Sequence, residues 1–219
     1  SIADDPDGMI NLEVNEGEIN KVEFIGNRKT KDNVVKRMMV TKAGDVYNEK
    51  NLTADLKRIF SLQSFSDVRR VITASPDDPN KYDLTIELDE KKTGAISLGG
   101  GMDTATGFFG SVGYNDPNFL GRGQNIGSVF SVGTGIIGRG DTIADARTYQ
   151  FELNWSNPSV KDTANSLASS VYGRDLSSFN VPLAIERRIG GDITWARPIK
   201  SLKNTSMSLA LGAERVSLR

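Results

Sequence analysis

The alternation of apolar and polar residues changes near Thr93, and the two regions predict different kinds of structure. Before Thr93, charged residues are dense and apolar residues recur at helical spacing in two segments. After it, large apolar residues alternate with glycine, serine and polar residues, which is typical of strands with one apolar face. The pattern predicts an α+β domain over residues 18–92, followed by antiparallel β-structure over residues 93–219.

The first region has the pattern of a β-α-α-β-β unit. Alternation predicts a strand over residues 18–24, and Thr30 is the expected N-cap of a first helix. The apolar stripe of this helix consists of Val34, Val35, Met38 and Met39, and Gly44 ends the segment. This stripe is predicted to lie in the core.

A second helix is predicted after Asn48, a suitable N-cap. Its buried face is expected to comprise Leu52, Leu56, Ile59 and Phe60, with Asp55, Lys57 and Arg58 outside. Two strands follow, over residues 67–73 and 81–88, separated by a loop rich in proline and aspartate. Residues 10–17 resemble residues 82–90 in their alternation, which predicts that residues 1–17 are the end of a preceding copy of the unit.

The second region contains candidate strands with one apolar face, and residues 149–156 alternate without exception. The other candidates cover residues 96–102, 108–115, 126–133, 167–173, 189–197 and 207–214. A water-soluble sandwich alternates in the same way. Aromatic residues near strand ends and a second face rich in glycine and serine favour a transmembrane β-barrel, of which these residues are the N-terminal, incomplete part.

The amino-acid composition excludes several classes of function and of site. The 27 basic and 28 acidic side chains nearly cancel, so no global charge favours nucleic acid as a partner. The chain has no Cys and no His, which excludes disulfides, imidazole bases and the usual zinc sites. No apolar run reaches the roughly 20 residues of a membrane helix. We expect no catalytic residue, no metal, no cofactor and no enzyme activity.

Several residues carry a resemblance to a known family. Residues 18–90 resemble a POTRA domain in Gly26, Asn27, Gly44, Tyr47, Leu52, Asp55, Ile59 and Phe65. The turn expected after the second barrel strand is similar to that of BamA-type and Toc-type outer-membrane proteins, in Asn118, Phe119, Leu120, Gly121, Arg122 and Gly123. Residues 181–190 resemble cyanobacterial members, which are relatives of the chloroplast import channel. The usual glycine before Phe65 is replaced, since Gln63 and Ser64 stand there.

The resemblance implies a barrel of about sixteen strands behind a POTRA array. Such a protein lies in a Gram-negative or cyanobacterial outer membrane or in the chloroplast outer envelope, with its POTRA domains in the periplasm or equivalent space. Its implied partners are unfolded outer-membrane or imported polypeptides, neighbouring POTRA domains, assembly accessory proteins and the lipid bilayer. Its implied function is protein insertion or translocation. Two alternatives remain, a pore of the two-partner secretion type and a soluble β-rich binding protein.

The resemblance also assigns two candidate sites. Clients would add to the free edge of the middle POTRA strand, at Asp67, Val68, Arg69, Arg70, Val71, Ile72 and Thr73. Arg69 and Arg70 could instead guard that edge against aggregation. The first barrel strand would form a lateral gate through Ile96, Leu98, Gly99, Gly100, Gly101 and Met102. Alternatively, its glycines only curve the strand so that the barrel can close.

Overall fold

A computed structural model describes residues 2–4, 10–12, 17–76, 78, 80–103, 107–135, 147–177, 185–199, 201–202 and 205–218. The chain divides into two compact units, residues 1–91 and 92–219. Strands β1 (Ile2–Asp4) and β2 (Ile10–Leu12) form an antiparallel pair in the first unit. The predicted relation of residues 1–17 to a preceding copy falls largely on residues outside the described ranges and stays a prediction.

The rest of the first unit is a three-stranded sheet with two helices. Its elements are β3 (Glu18–Ile25), α1 (Asp32–Lys36), α2 (Glu49–Phe60), β4 (Phe65–Ala74) and β5 (Lys81–Glu90). The sheet order is β3-β5-β4, with β3 parallel and β4 antiparallel to the central strand β5. The predicted order β-α-α-β-β is confirmed.

Apolar residues from both helices and the sheet form the core of this unit. Its buried members are Ile19, Val35, Met39, Leu52, Ile59, Phe65, Leu84, Ile86 and Leu88. The predicted core placement of the α1 stripe is confirmed, because Val34, Val35 and Met39 are buried and Met38 packs against the core. The helix is shorter than predicted, since α1 ends at Lys36 and both methionines follow it. Asn48 caps α2 as predicted, since its Oδ1 accepts hydrogen bonds from the N–H groups of Lys50 and Asn51. No helix in the described ranges is both long and apolar enough to cross a membrane.

Three residues of this unit differ from their predicted roles. Thr30 is not the N-cap of α1, because its hydroxyl and N–H both bond to the Glu90 carboxylate on β5. Phe60 is 53% exposed, since it is the last residue of α2 and lies beyond the core-facing stripe. Asp55, expected in solvent, is completely buried.

The second unit is one antiparallel sheet of seven strands, ordered as in the sequence. The strands are β6 (Ala95–Asp103), β7 (Gly107–Phe119), β8 (Gln124–Gly133), β9 (Thr148–Asn157), β10 (Ser166–Ser177), β11 (Ile185–Pro198) and β12 (Ser206–Leu218). Each predicted strand is confirmed, and each extends beyond its predicted ends except β8, which ends at Gly133 as predicted. A single 3-10 turn, Val160–Asp162, lies between β9 and β10.

The two faces of this sheet differ in chemistry. Cross-strand pairs such as Leu98 with Val112 and Phe130 with Phe151 put large apolar side chains on one face. These side chains are largely exposed in the described residues, with Ile96 76% and Leu98 83% accessible. The opposite face is polar or small, as in the pair of Ser170 with Asp192. An apolar outer face backed by a polar face is the arrangement of barrel strands between lipid and a lumen.

Candidate functional site

Strand β4 is an edge of the first unit's sheet, since β5 is its only described strand partner. The Ser75 N–H donates to the Lys81 carbonyl at 2.8 Å, which makes these residues a hydrogen-bonded pair in the β4–β5 register. Hydrogen-bonded and non-hydrogen-bonded pairs alternate along an antiparallel ladder. The backbone groups of Val68, Arg70 and Ile72 therefore point away from β5, toward the open edge.

The exposed face of β4 carries charges that are already paired. Arg69 lies 2.8 Å from an Asp67 carboxylate oxygen, 3.3 Å from Asp89 and 3.5 Å from Glu87. The nearby Asp89 and Asp67 carboxylates raise the pKa of Arg69 above its ordinary value. The Asp67 carboxylate also accepts the Val68 N–H at 2.9 Å, so one outward backbone donor is occupied. Arg70 and Ile72 carry the next outward-facing donors.

The inner face of β4 packs on the core and on α2. Val68 and Ile72 pack against the buried cluster, and Arg70 pairs with Glu49 at 2.7 Å. Glu49 also accepts a hydrogen bond from the Tyr47 hydroxyl, and Tyr47 and Arg70 together lower the pKa of the Glu49 carboxyl. Arg69 and Arg70 thus both form ion pairs within the unit. The groups of this edge that can bind a partner are therefore the outward-facing backbone N–H and C=O groups.

A buried carboxylate holds the segment before α2 against that helix. Asp55 accepts the N–H groups of Val40 at 2.9 Å and Thr41 at 3.0 Å, and it pairs with Arg58. Burial alone would raise the pKa of Asp55, but the hydrogen bonds from Thr41, Val40 and Arg58 outweigh it and hold the pKa below its ordinary value. Helical periodicity put this residue on the polar side of α2 and could not show these partners.

Strand β6 is an edge of the seven-stranded sheet and pairs in the described residues with β7 alone. The Thr134 N–H donates to the Phe108 carbonyl at 2.8 Å, so Phe108 faces β8 and the odd-numbered residues of β7 face β6. Given the β6–β7 register, the backbone groups pointing to the open side belong to Ile96, Leu98, Gly100 and Met102. All predicted gate residues lie in this edge strand.

The glycines of β6 lie where β7 approaches closely. A Cβ atom added to Gly99 would lie 2.8 Å from the Ser111 hydroxyl, and one added to Gly101 would lie 3.2 Å from the Phe109 ring. Gly100 is paired with Gly110, so this position has no side chain on either strand. Contacts between β6 and β7 are consequently weakest at the middle of the edge strand.

The predicted turn motif is divided between a strand and a turn. Strand β7 includes Asn118 and Phe119, and the reversal occupies only Leu120, Gly121, Arg122 and Gly123. Asn118 is fully buried, and its side-chain oxygen accepts the Gly123 N–H at 2.9 Å. Leu120 adopts φ 56°, which a side chain disfavours, whereas Gly121 adopts φ 69° without that cost. Asn118 therefore fixes the turn from inside the preceding strand.

Asp116, which the sequence suggested only as a turn residue, accepts hydrogen bonds from three groups next to this motif. Its carboxylate accepts the Thr93 hydroxyl at 2.5 Å, the Asn118 N–H at 3.0 Å and the Tyr114 hydroxyl at 3.4 Å. Asp116 is only 3% exposed. Turn propensity accounts for an aspartate before proline but not for a bond to a residue 23 positions earlier.

The described residues hold no group of three or more His, Cys, Asp and Glu side chains that could bind a metal ion.

Comparisons with known proteins agree with this architecture. Residues 17–91 match the family model "POTRA: Surface antigen variable number repeat". The chain is 27% identical over 220 aligned residues to "Outer envelope protein 80, chloroplastic" of Oryza sativa subsp. japonica, covering 88% of this chain and 31% of the relative. It is 28% identical over 156 residues to "Outer membrane protein assembly factor BamA" of Neisseria meningitidis, covering 71% of this chain and 18% of the relative.

A solved structure shows the same fold. The crystal structure of BamA from Haemophilus ducreyi lacking POTRA domains 1–3 superimposes with a TM-score of 0.75 at 19% identity. The match covers 100% of this chain and 40% of that chain. The seven antiparallel strands thus resemble the N-terminal strands of the BamA barrel.

Fold and matches define a POTRA domain followed by an antiparallel sheet that resembles the first strands of an outer-membrane β-barrel. The chain is thus similar to proteins named as outer-membrane assembly factor BamA and to the chloroplastic outer envelope protein 80. Its location is the outer membrane. It spans less than a third of the length of these two relatives.

Proposed function

We propose that this chain is part of a protein that inserts polypeptides into the outer membrane or translocates them across it. The relatives named as outer membrane protein assembly factors support this class of function. The observation that carries the proposal is a pair of edge strands, β4 in the POTRA unit and β6 in the seven-stranded sheet, each with one strand partner among the described residues. In this account the protein acts without a catalytic residue or cofactor.

The first step of the proposal is capture of an unfolded client at β4. An extended segment adds to a sheet edge through main-chain hydrogen bonds, so recognition depends little on client sequence. The outward backbone groups at Arg70 and Ile72 offer such bonds. The exposed side chains of Arg69 and its acidic partners would line the added strand and limit pairing between copies of the protein.

The second step is transfer to β6 at the barrel. An unpaired strand edge is costly inside a bilayer, because lipid offers no hydrogen-bond partners. A client strand that pairs with Ile96, Leu98, Gly100 and Met102 would satisfy these groups and extend the sheet. Neighbouring POTRA domains and accessory proteins would deliver the client, and the bilayer would receive it.

Photo-crosslinking in the full-length protein tests the first step. A photoreactive residue replacing Val71, whose side chain is exposed on β4, should crosslink to an unfolded outer-membrane protein during its insertion. The matched control replaces Lys57, which is exposed on α2. Equal crosslinking at both positions would contradict capture at the strand edge. Crosslinking to a secreted passenger, with no insertion of barrel clients, would instead identify a two-partner secretion pore.

A further inference from the structure

Edge strand β6 is joined covalently to β7 at only one end. The two strands form a hairpin whose connection follows Asp103 and precedes Gly107. At the other end, Ala95 pairs with Asn115, and the chain before Ala95 leaves the ladder. Separation of β6 from β7 is therefore expected to begin at the Ala95 end, where no covalent connection joins the two strands.

The side chains of Thr93 and Asp116 bridge this open end. The Thr93 hydroxyl donates to Asp116 Oδ1 at 2.5 Å, and the same carboxylate is held by the Asn118 N–H and the Tyr114 hydroxyl. Because Asp116 is 3% exposed, water competes poorly for these bonds. Gly94, between Thr93 and the strand, lies close beneath Tyr114, since an added Cβ would come within 3.1 Å of its hydroxyl.

The middle of the β6–β7 ladder has few side-chain contacts between the strands. Three consecutive glycines, Gly99 to Gly101, contribute no side-chain pairs across the strands. A client strand pairing with the outer side of β6 would bond to the backbone groups that β7 does not use, so β6 would have to stay attached to β7 while it binds the client. A bond that fixes the open end of the hairpin keeps β6 attached to β7 while its other side remains available.

We infer that Asp116 is a positioning residue for client insertion: with Thr93 it forms an entry latch that holds β6 on β7 while a client pairs with the opposite edge. The inference rests on the proposed function and extends it to a named pair of side chains. Asp116 does not touch the client in this account. It acts through the register and attachment of β6.

Hydrogen exchange of the full-length protein in liposomes tests the latch directly. Thr93→Val and Asp116→Asn remove the hydroxyl donor and weaken the acceptor. We expect exchange of the ladder amides of Ala95 and Ser97 to accelerate about tenfold, with a smaller change toward Gly101 near the hairpin connection. The matched control is Thr148→Val, because the buried hydroxyl of Thr148 makes no hydrogen bond among the described residues. Uniform acceleration across all strands, or none, would overturn the latch.

A covalent substitute separates positioning from general stability. Residues 1–219 contain no cysteine, so Leu98→Cys with Val112→Cys introduces the one cysteine pair of this region, across a non-hydrogen-bonded pair of the β6–β7 ladder. In the Thr93→Val background, oxidation of this pair should restore slow exchange at Ala95 and restore the rate of client insertion. Reduction should abolish both effects. Unchanged insertion by Thr93→Val, despite fraying of β6, would overturn the positioning role.

The two proposals fail in distinguishable ways. If the unmodified full-length protein inserts no client in the same liposomes, the proposed function is wrong, and the exchange gradient along β6 still decides whether the latch exists. If the unmodified protein inserts clients and the gradient is absent, only the latch is wrong.

Discussion

The two edge strands β4 and β6 expose the same kind of backbone but differ in the side chains around it. β4 carries Asp67 and Arg69 within an ion-paired cluster on its exposed face. β6 has no charged residue between Ala95 and Met102 and presents exposed Ile96 and Leu98. Charges protect an edge in water, whereas a charge facing lipid is costly. The comparison indicates that one edge is adapted to an aqueous compartment and the other to the membrane.

The largest effect on stability is expected when the fully buried carboxylate of Asp55 is removed from the unit that carries β4. Asp55→Ala leaves the N–H groups of Val40 and Thr41 and the Arg58 charge without their acceptor. We expect destabilisation of about 3–5 kcal/mol. Hydrogen exchange of the α2 amides measures the change. Asp67→Ala, on the exposed face of β4, is the control and should leave α2 nearly unaffected.

Placing the same charge on each edge strand tests the comparison itself. Leu98→Lys puts an ammonium group on the apolar face of β6 and should cost about 2–4 kcal/mol if it lies near the bilayer midplane. Val71→Lys puts the same group on the exposed face of β4 and should change stability by no more than about 0.5 kcal/mol. Urea unfolding of both variants from liposomes gives the two values. Similar costs would contradict the assignment of the edges to different solvents.

Acid should weaken the first unit through Asp55. Its pKa is lower in the folded unit than in the unfolded chain, so its stabilisation is present above the unfolded value, about 3.9, and is lost as pH falls through the folded pKa. The stability difference between the unmodified protein and Asp55→Asn should therefore shrink below about pH 4. Unfolding followed by α2 exchange at several pH values measures it. A difference that grows with acid would reverse the assigned sign.

The smallest predicted effect concerns the approach to β4. Gln63 adopts φ 56°, the left-handed conformation for which glycine is suited. Gln63→Gly should stabilise the unit by up to about 1 kcal/mol, because strain in the side-chain-bearing residue is removed. Gln63→Ala serves as the control and should give no such gain. Thermal unfolding of the pair decides between them.

Strand positions were predictable because one apolar face per strand leaves a period of two in the sequence. All seven strands of the second unit and the order of the first were found this way. The same periodicity placed Asp55 in solvent, since amphipathic spacing cannot reveal that two distant N–H groups and an arginine surround one helical position. Phe60 was misplaced because the helix ends there, and helix ends are poorly marked by periodicity.

For the candidate sites too, some features could be predicted from the sequence and others could not. Family resemblance located β4, β6 and the turn after β7, and register then showed which backbone groups of the edge strands point outward. The bond between Thr93 and Asp116 could not be predicted, because it joins residues on separate strands through side-chain hydroxyl and carboxylate groups. An aspartate before proline is common in turns, so the sequence offered no reason to expect that Asp116 also accepts a hydrogen bond from Thr93.

Client insertion by two variants at Arg70 tests the central claim most directly. Arg70→Pro removes an outward-facing N–H that lies outside the β4–β5 ladder, and Arg70→Ala removes only the ion pair with Glu49. In the full-length protein in liposomes, we predict that Arg70→Pro slows client insertion at least about tenfold while Arg70→Ala stays near the unmodified rate. Equal rates for the two variants, with the POTRA unit folded in both, would contradict capture through the backbone of β4.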